Sequence, residues 1–549
     1  MIAFYSMNKI FDFIKRISIF LALPLLSGIL VGTSYIPFNG WALLFCYIPL
    51  WYKLSQLIEN GKSYKQIFFA AWVTQFILTM IGFNWIFYVT TEFGNFHWSI
   101  GALAQIAFAS FMHLYLPAAL TLAALIIRKA NVQFILAKYM IMALSVALIE
   151  RIWPSIFEWN LAYTFLWIKL PLYQWADVVG FWGLSTWMYI WQACLGYAFY
   201  IFKSDRKQSL SLTAAVLGVL AGLTLVGHFK GKGWSKTDQK VNVGMAQGNI
   251  GNAEKIQSEK KSQFHSHIRG IYTQLTDDLI NKSPVDFVVW PETAMPFAFD
   301  PAYFNSAEQR ELLKTANRWG IPIVTGAYSL NTAEKDILGD PVIRNAVFYV
   351  APNMNYAAPP YYKTNLLAFG EYMPFGEMFP ILYKILPFVG VYAKGSGPVI
   401  AEVALKDKSI RLGPQICYDS LNPGFSRDLA KNGAQVIYNV TNDSWFGWWA
   451  EPFQHQYMTL GRAVEVRRPL VRSTNTGVTS AILADGTVLT ESPINQTWAH
   501  NFEIKYKKNP ALTLYTKFGY MDWIVWLALL IGLVVAYKTP KTKLEGENV

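Results

Sequence analysis

Charge is scarce in this 549-residue chain: Asp, Glu, Lys and Arg make up 15% of it, against roughly 25% in soluble globular domains. Hydrophobic residues reach 53% and gather in long runs, which excludes an ordinary soluble enzyme. Cysteine is nearly absent. Of the three present, Cys46 and Cys194 fall in apolar runs, so Cys417 stands alone in the polar part and no disulfide framework can form there. Histidine is scarce too. His265 and His267 lie in a polar, helix-like stretch and read as solvated, and His455, beside an aromatic loop, reads as packing or substrate contact. With no metal-ligand cluster and no glycine-rich phosphate loop, no metal and no cofactor are expected. The net charge of +12 would suit nucleic acid, but no basic cluster is interleaved with stacking aromatics. Many basic residues flank apolar runs and read as topology signals and as attraction to anionic lipid, so the expected partner is the membrane.

What is abundant points the same way. Aromatics reach 16%, with 21 Trp, and Trp and Tyr favour membrane–water interfaces. Apolar spans are expected at roughly 18–36, 41–57, 67–89, 100–127, 134–149, 178–202 and 210–228, with an eighth at 523–537. Lys9, Lys15 and Arg16 precede the first, which reads as an uncleaved helix because it is about a bilayer long and others follow. Gly218 and Gly222 form a small-xxx-small pair, a hint of close helix packing. The loops at Lys62/Lys65, Arg128/Lys129 and Lys203/Arg206/Lys207 are basic, whereas those near Asn39 and at 90–99 lack Lys and Arg. That bias puts the N-terminus inside, residues 230–518 outside, and the tail with Lys538, Lys541 and Lys543 inside. The expected organisation is a seven-helix membrane domain at 1–229, an outer domain at 230–518, and a last helix with its basic tail at 519–549.

The outer segment reads as one α/β domain. Val241–Ala246, Phe287–Trp290, Ile321–Thr325, Ala346–Val350 and Val436–Val440 look like buried strands, with polar helix-length stretches such as Ser258–Asn281 and Ser306–Trp319 between them. Layered sheets covered by helices follow from that alternation. The passage Met378–Ala393 is apolar but short and broken by prolines. It reads either as a core helix or as a loop resting on the bilayer where a lipid could enter, and the aromatic cluster Trp445–Trp449 invites the same choice between packing and lid.

Chemistry concentrates at Arg411–Ser420. A short apolar run ends at Cys417 and turn-formers follow, which is how a strand delivers a nucleophile to a sheet edge. A lone buried cysteine is ordinarily inert core, but two other stretches supply what a thiol needs. Val288-Val-Trp-Pro-Glu292 ends on a carboxylate, and Tyr362–Glu371 carries Lys363 and Glu371. A thiol requires a base for its proton and a cation for the oxyanion that forms on attack.

The order Glu292, Lys363, Cys417 resembles the nitrilase, or carbon–nitrogen hydrolase, superfamily over roughly residues 241–505. With its membrane spans, the whole chain resembles the apolipoprotein N-acyltransferase family, on Trp290-Pro-Glu-Thr-Ala-Met-Pro296, Phe369-Gly-Glu-Tyr-Met-Pro374, Ile416-Cys-Tyr418, Asn442-Asp-Ser-Trp-Phe-Gly447 and Arg468–Val478. The Asn84-Trp85 and Phe93-Gly94 pairs in the membrane half add to it. The resemblance implies an α-β-β-α sandwich outside a bacterial cytoplasmic membrane, with both termini cytoplasmic. It implies Glu292 as general base, Lys363 as oxyanion stabiliser, Cys417 as nucleophile, Glu371 as a supporting carboxylate and the Tyr418 N–H as oxyanion donor. Trp445, Phe446 and Asp419 would line the substrate approach. The implied reaction moves an acyl chain from a phospholipid, phosphatidylethanolamine as donor, through a Cys417 thioester to the α-amine of a diacylglyceryl-cysteine on an apolipoprotein. Three positions depart from the family's pattern: Asp419 replaces a longer carboxylate, Ala368 replaces a proline, and a tryptophan is missing at 251–256. A membrane-tethered amidase of the same superfamily is the alternative. A transporter with a receptor domain fits poorly, because the spans carry few charges and no evident repeat.

Overall fold

The computed structural model of the chain describes residues 18–251, 263–299, 307–353, 355–387 and 389–538. The basic residues Lys9, Lys15, Arg16, Lys541 and Lys543, and positions 252–256 where a tryptophan is missing, lie outside that range. The chain forms two compact units, one of residues 1–91, 95–227 and 518–549, the other of 92–94 and 228–517.

The first unit is helical. Among the described residues, three helices are long and apolar enough to cross a membrane: Tyr64–Gly82, Trp98–Lys129 and Arg206–Gly233. Ser18–Gly32 and Asp522–Tyr537 are shorter apolar helices, and Ile48–Glu59, Ile135–Ile152 and Ala176–Ile201 complete the main set. The run at 41–57 is helical only from Ile48, where Pro49 sits in the first turn, a position that suits a residue without an amide hydrogen. Trp98–Lys129 divides into Trp98–Phe111 and Tyr115–Lys129; Pro117 has no N–H to give to the carbonyl four residues back. Gly218 and Gly222 face open space, since a methyl group added at either would touch nothing. The close packing lies elsewhere, at Gly28 and Gly32, where a Cβ would collide with Ile77 and Ile81. Several buried polar groups in this unit are paired. Gln192 accepts from Tyr47 N (2.7 Å) and donates to Leu43 O (2.8 Å), and Glu150 accepts from the hydroxyls of Tyr115 (3.0 Å) and Tyr189 (2.9 Å). Polar groups in an apolar environment persist when partnered in this way.

The second unit is a two-sheet sandwich. Its strands are β1 (Gln239–Gln247), β2 (Phe287–Val289), β3 (Met295–Phe299), β4 (Ile323–Lys335), β5 (Pro341–Ala351), β6 (Asn355–Tyr362), β7 (Ala401–Ala404), β8 (Ser409–Ile416), β9 (Val436–Thr441), β10 (Leu470–Thr474), β11 (Ser480–Ile482) and β12 (Trp498–Tyr506). One sheet runs β12-β1-β2-β4-β5-β6 with β3 beside β4, the other β11-β10-β9-β8-β7. In each, the central pairs are parallel: β1–β2 and β2–β4 in the first, β8–β9 and β9–β10 in the second. Parallel strands are buried on both faces, and β9 is buried at every position. The helices Gln263–Lys282 and Ala307–Trp319 cover the first sheet through Ile268, Tyr272, Leu312 and Ala316, which pack with Val288, Trp290 and Phe348. Two further helices lie on the second sheet: Glu451–Val466 packs with β10 and β11, and Pro423–Lys431 meets β8 where Gln415 Nε2 donates to Ser426 Oγ (2.7 Å). The sheets meet face to face through Tyr349 and Tyr438 (hydroxyls 2.6 Å apart) and through Ser473 Oγ donating to Val289 O at 3.1 Å. The layer order is helix, sheet, sheet, helix.

Candidate active site

The three residues singled out by type sit at the ends of three strands, brought together where the sheets face each other. β2 stops at Val289 and the chain turns through Trp290 and Pro291 to Glu292. That turn lies so close to β4 that a side chain at Gly326 would clash with Pro291 O, Thr293 N and Glu292 Cα. Lys363 follows the last residue of β6, its N–H bonded to Asn345 O on β5 (2.9 Å). Cys417 follows the last residue of β8 and opens a 3-10 turn, Cys417–Leu421. Its φ of +47° lies in the left-handed region, which a residue other than glycine holds only when its surroundings impose it.

Lys363 is the hub. Its Nζ is 3.1 Å from Glu292 Oε1 and 2.8 Å from Glu371 Oε1. Glu292, Lys363, Glu371 and Cys417 are each no more than 6% exposed. Asn345 Nδ2 bridges the same two carboxylates, donating to Glu292 Oε1 (2.7 Å) and Glu371 Oε1 (2.9 Å). The remaining oxygens are also met: Glu292 Oε2 by Asn442 N (2.9 Å) and Glu371 Oε2 by Leu367 N (2.9 Å). Burial pulls the Lys363 ammonium down, but Glu292 and Glu371 outweigh it and hold it well above lysine's ordinary value. Burial pushes the Cys417 thiol well above its ordinary value; Glu292 adds to that and Lys363 opposes it. Thr441 Oγ1 also lies close enough to favour the thiolate, without the alignment of a formed hydrogen bond.

Asp419 is fully buried rather than lining an open approach. Its carboxylate accepts from Tyr361 OH (2.7 Å), Asn365 N (2.7 Å), Asn365 Nδ2 (3.0 Å), Thr364 N (3.3 Å) and Ile416 N (3.0 Å). It ties the loop after Lys363 to the strand that carries Cys417, a load its shorter side chain reaches. Burial raises its carboxyl despite those donors. Trp445 is half-buried, Phe446 is buried, and Trp448 and Trp449 are exposed.

Sequence reasoning missed Asn345. Its signal was there: a lone amide opening the apolar run Asn345-Ala-Val-Phe-Tyr-Val350. His455 is neither surface nor simple packing. Its Nδ1 lies 3.0 Å from Asp443 Oδ1 and 3.7 Å from Glu451 Oε1, and its Nε2 is 3.4 Å from Cys417 O. Arg472 Nη2 donates to Asp443 Oδ2 at 2.8 Å. Asp443, Glu451 and His455 have the donor types of a metal site and lie within 4.8 Å of one another. Asp443, however, is already bound by a guanidinium, beside which a divalent ion would be repelled. Burial acts against the Asp443 carboxylate, yet Arg472 and His455 outweigh it and hold the group below its ordinary range. Burial, then the charge of Asp443, lifts Glu451 well above its own.

The carbon–nitrogen hydrolase profile matches residues 242–500, and the apolipoprotein N-acyltransferase N-terminal domain profile matches 27–194. The apolipoprotein N-acyltransferase of Bdellovibrio bacteriovorus is 44% identical over 530 residues, 96% of each chain. That of Geobacter metallireducens is 29% identical over 541 residues, again 96% of each. Among solved structures, an amidase from Nesterenkonia sp. AN1 aligns at 16% identity with a TM-score of 0.35, covering 48% of this chain and 90% of its own. With 44% of its residues shared along nearly its full length, the chain belongs to the apolipoprotein N-acyltransferases, a membrane branch of the nitrilase superfamily.

Proposed function

We propose that this enzyme moves an acyl chain from a phospholipid to the N-terminal amine of a diacylglyceryl-cysteine on an apolipoprotein, through a thioester on Cys417. One observation carries the reading: a buried lysine held at 3.1 and 2.8 Å between two carboxylates, beside a cysteine at a strained strand end. Glu292 takes the thiol proton as Sγ attacks the ester carbon. Lys363 and the Tyr418 N–H hold the charge that forms on the ester oxygen. The carbon–oxygen bond breaks, Glu292 returns the proton to the departing alkoxide, and a lysophospholipid leaves. In the second half the acceptor amine attacks the thioester, its proton passes by Glu292 to the sulfur, and the carbon–sulfur bond breaks. Amide replaces thioester, which runs downhill, so the residues present balance the reaction by themselves. Glu371 and Asn345 keep the lysine in place. The same triad with water as acceptor would be an amidase, which the family match does not favour.

Phosphatidylethanolamine is our proposed donor. We assign eight spans with both termini cytoplasmic, domains at 1–229, 230–518 and 519–549, and the catalytic domain on the periplasmic face, on the lysine and arginine bias of the loops. The segment 375–385 exposes Phe375, Met378, Phe379, Ile381 and Ile385, an apolar surface of the kind that rests on lipid. The test is a transfer assay with phosphatidylethanolamine and a diacylglyceryl-cysteine peptide. Triacylated peptide from the wild type and none from Cys417→Ala supports the reading. Free fatty acid at the same rate with or without peptide would favour the hydrolase.

A further inference from the structure

The carbonyl oxygen of Cys417 accepts from three side chains: Ser420 Oγ at 2.9 Å, Asn439 Nδ2 at 3.2 Å and His455 Nε2 at 3.4 Å. A carbonyl oxygen offers two lone pairs, so this one is saturated. The Cys417–Tyr418 peptide is trans, and in a trans peptide the N–H points opposite to the C=O. Whatever grips the Cys417 carbonyl therefore sets the direction of the Tyr418 N–H. We propose that His455 is a positioning residue for acyl transfer: with Ser420 and Asn439 it clamps the Cys417 carbonyl and so aims the Tyr418 N–H at the oxygen of the attacked acyl group. The proposal rests on the reading of Cys417 as the nucleophile.

The ring is held from behind. Asp443 meets Nδ1 on one oxygen and Arg472 on the other, and Arg472 is itself fixed by donating to Val478 O at 2.9 Å. Room for this depends on Gly477, where a methyl group would collide with the Asp443 carboxylate. Both ring nitrogens face oxygen acceptors, so the ring makes both contacts only with a hydrogen on each. Glu451 is the second carboxyl within reach, fully buried and with neither oxygen hydrogen-bonded. The cluster thus serves as a fixed mount for one N–H aimed at one carbonyl.

Two variants differing by one methylene test this in the full-length protein. In His455→Gln the amide still reaches the Cys417 carbonyl; in His455→Asn it keeps the contact to Asp443 and falls short of the carbonyl. Acyl-enzyme formation from phosphatidylethanolamine, read by quenched-flow mass spectrometry, should fall on the order of 10²-fold in His455→Asn and recover to within about tenfold of wild type in His455→Gln. Alkylation of Cys417 by iodoacetamide forms no oxyanion and should stay within about threefold for both. Wild-type acylation by His455→Asn would overturn the proposal, and so would parallel loss of acylation and alkylation in both variants. An acyl-enzyme on Cys417→Ala would instead sink the nucleophile reading, and it is measured separately.

Discussion

The Lys363 cluster and the Asp443 cluster both bury charge beside Cys417, yet they are built in different ways. The first draws its groups from the ends of β2 and β6 and from the loop after Lys363, and puts one cation between two carboxylates. The second draws on β10, on the 3-10 turn Asp443–Trp445 and on the helix Glu451–Val466, and its cation, Arg472, meets only one of the two acids. The groups of the first cluster lie at or just beyond strand ends around Cys417, whereas the second meets Cys417 only at its backbone carbonyl, through His455. We read the first cluster as chemistry and the second as its mount.

Lys363→Met breaks the comparison most severely, because it leaves Glu292 and Glu371 facing each other without a cation. Loss of a partner from a buried ion pair costs about 3–5 kcal/mol, which should appear as a lowered Tm in detergent. Loss of oxyanion stabilisation should slow single-turnover acylation by at least about 10²–10³-fold. Arg472→Met tests the other cluster by stranding Asp443. It should cost about 3 kcal/mol or more while slowing acylation far less than Lys363→Met. An equal rate loss in the two variants would erase the distinction between chemistry and mount.

A smaller effect is expected from Asn345→Leu, which keeps the volume but removes a donor shared by Glu292 and Glu371. Two buried acceptors each lose a partner, at about 1–3 kcal/mol in total, and the lysine loses part of its alignment. The rate should fall with little change in KM for the peptide. The smallest effect concerns pH. The Cys417 thiol is held above its ordinary value by burial and by Glu292, and Lys363 opposes that rise. Iodoacetamide alkylation should therefore keep climbing with pH past the ordinary cysteine range. In Lys363→Met it should be slower at each pH, because the opposing cation is gone. A plateau near neutral pH would mean that the thiol is already ionised at rest.

How much was legible follows the same division. Glu292, Lys363 and Cys417 stood out by residue type at the ends of β-rich runs and by an order that resembles a known family, and the structure brings the three close together. The strand runs at 241–246, 287–290, 321–325, 346–350 and 436–440 all fall on strands or their ends, because fully buried β-rich runs carry a strong local signal. Asn345 stayed hidden because its role depends on which strand lies beside β6, a matter of pairing that no local pattern records. His455 stayed hidden for a related reason: its hydrogen-bond partners, Asp443 and the Cys417 carbonyl, are 12 and 38 residues away, on other elements. Asp419 looked like a substrate contact by its place beside Cys417, but the backbone turns it inward to five donors. In the helical unit, Gly218 and Gly222 had the spacing of a packed pair while Gly28 and Gly32, at the same spacing, had the neighbours.

The most direct test of the central claim is the intact mass of the purified protein after incubation with phosphatidylethanolamine, beside a Cys417→Ala variant. We expect an adduct of one acyl chain on the wild type alone, discharged promptly by a diacylglyceryl-cysteine peptide and slowly by water. An adduct that survives in Cys417→Ala, or transfer to the peptide with no adduct ever forming, would contradict the thioester route.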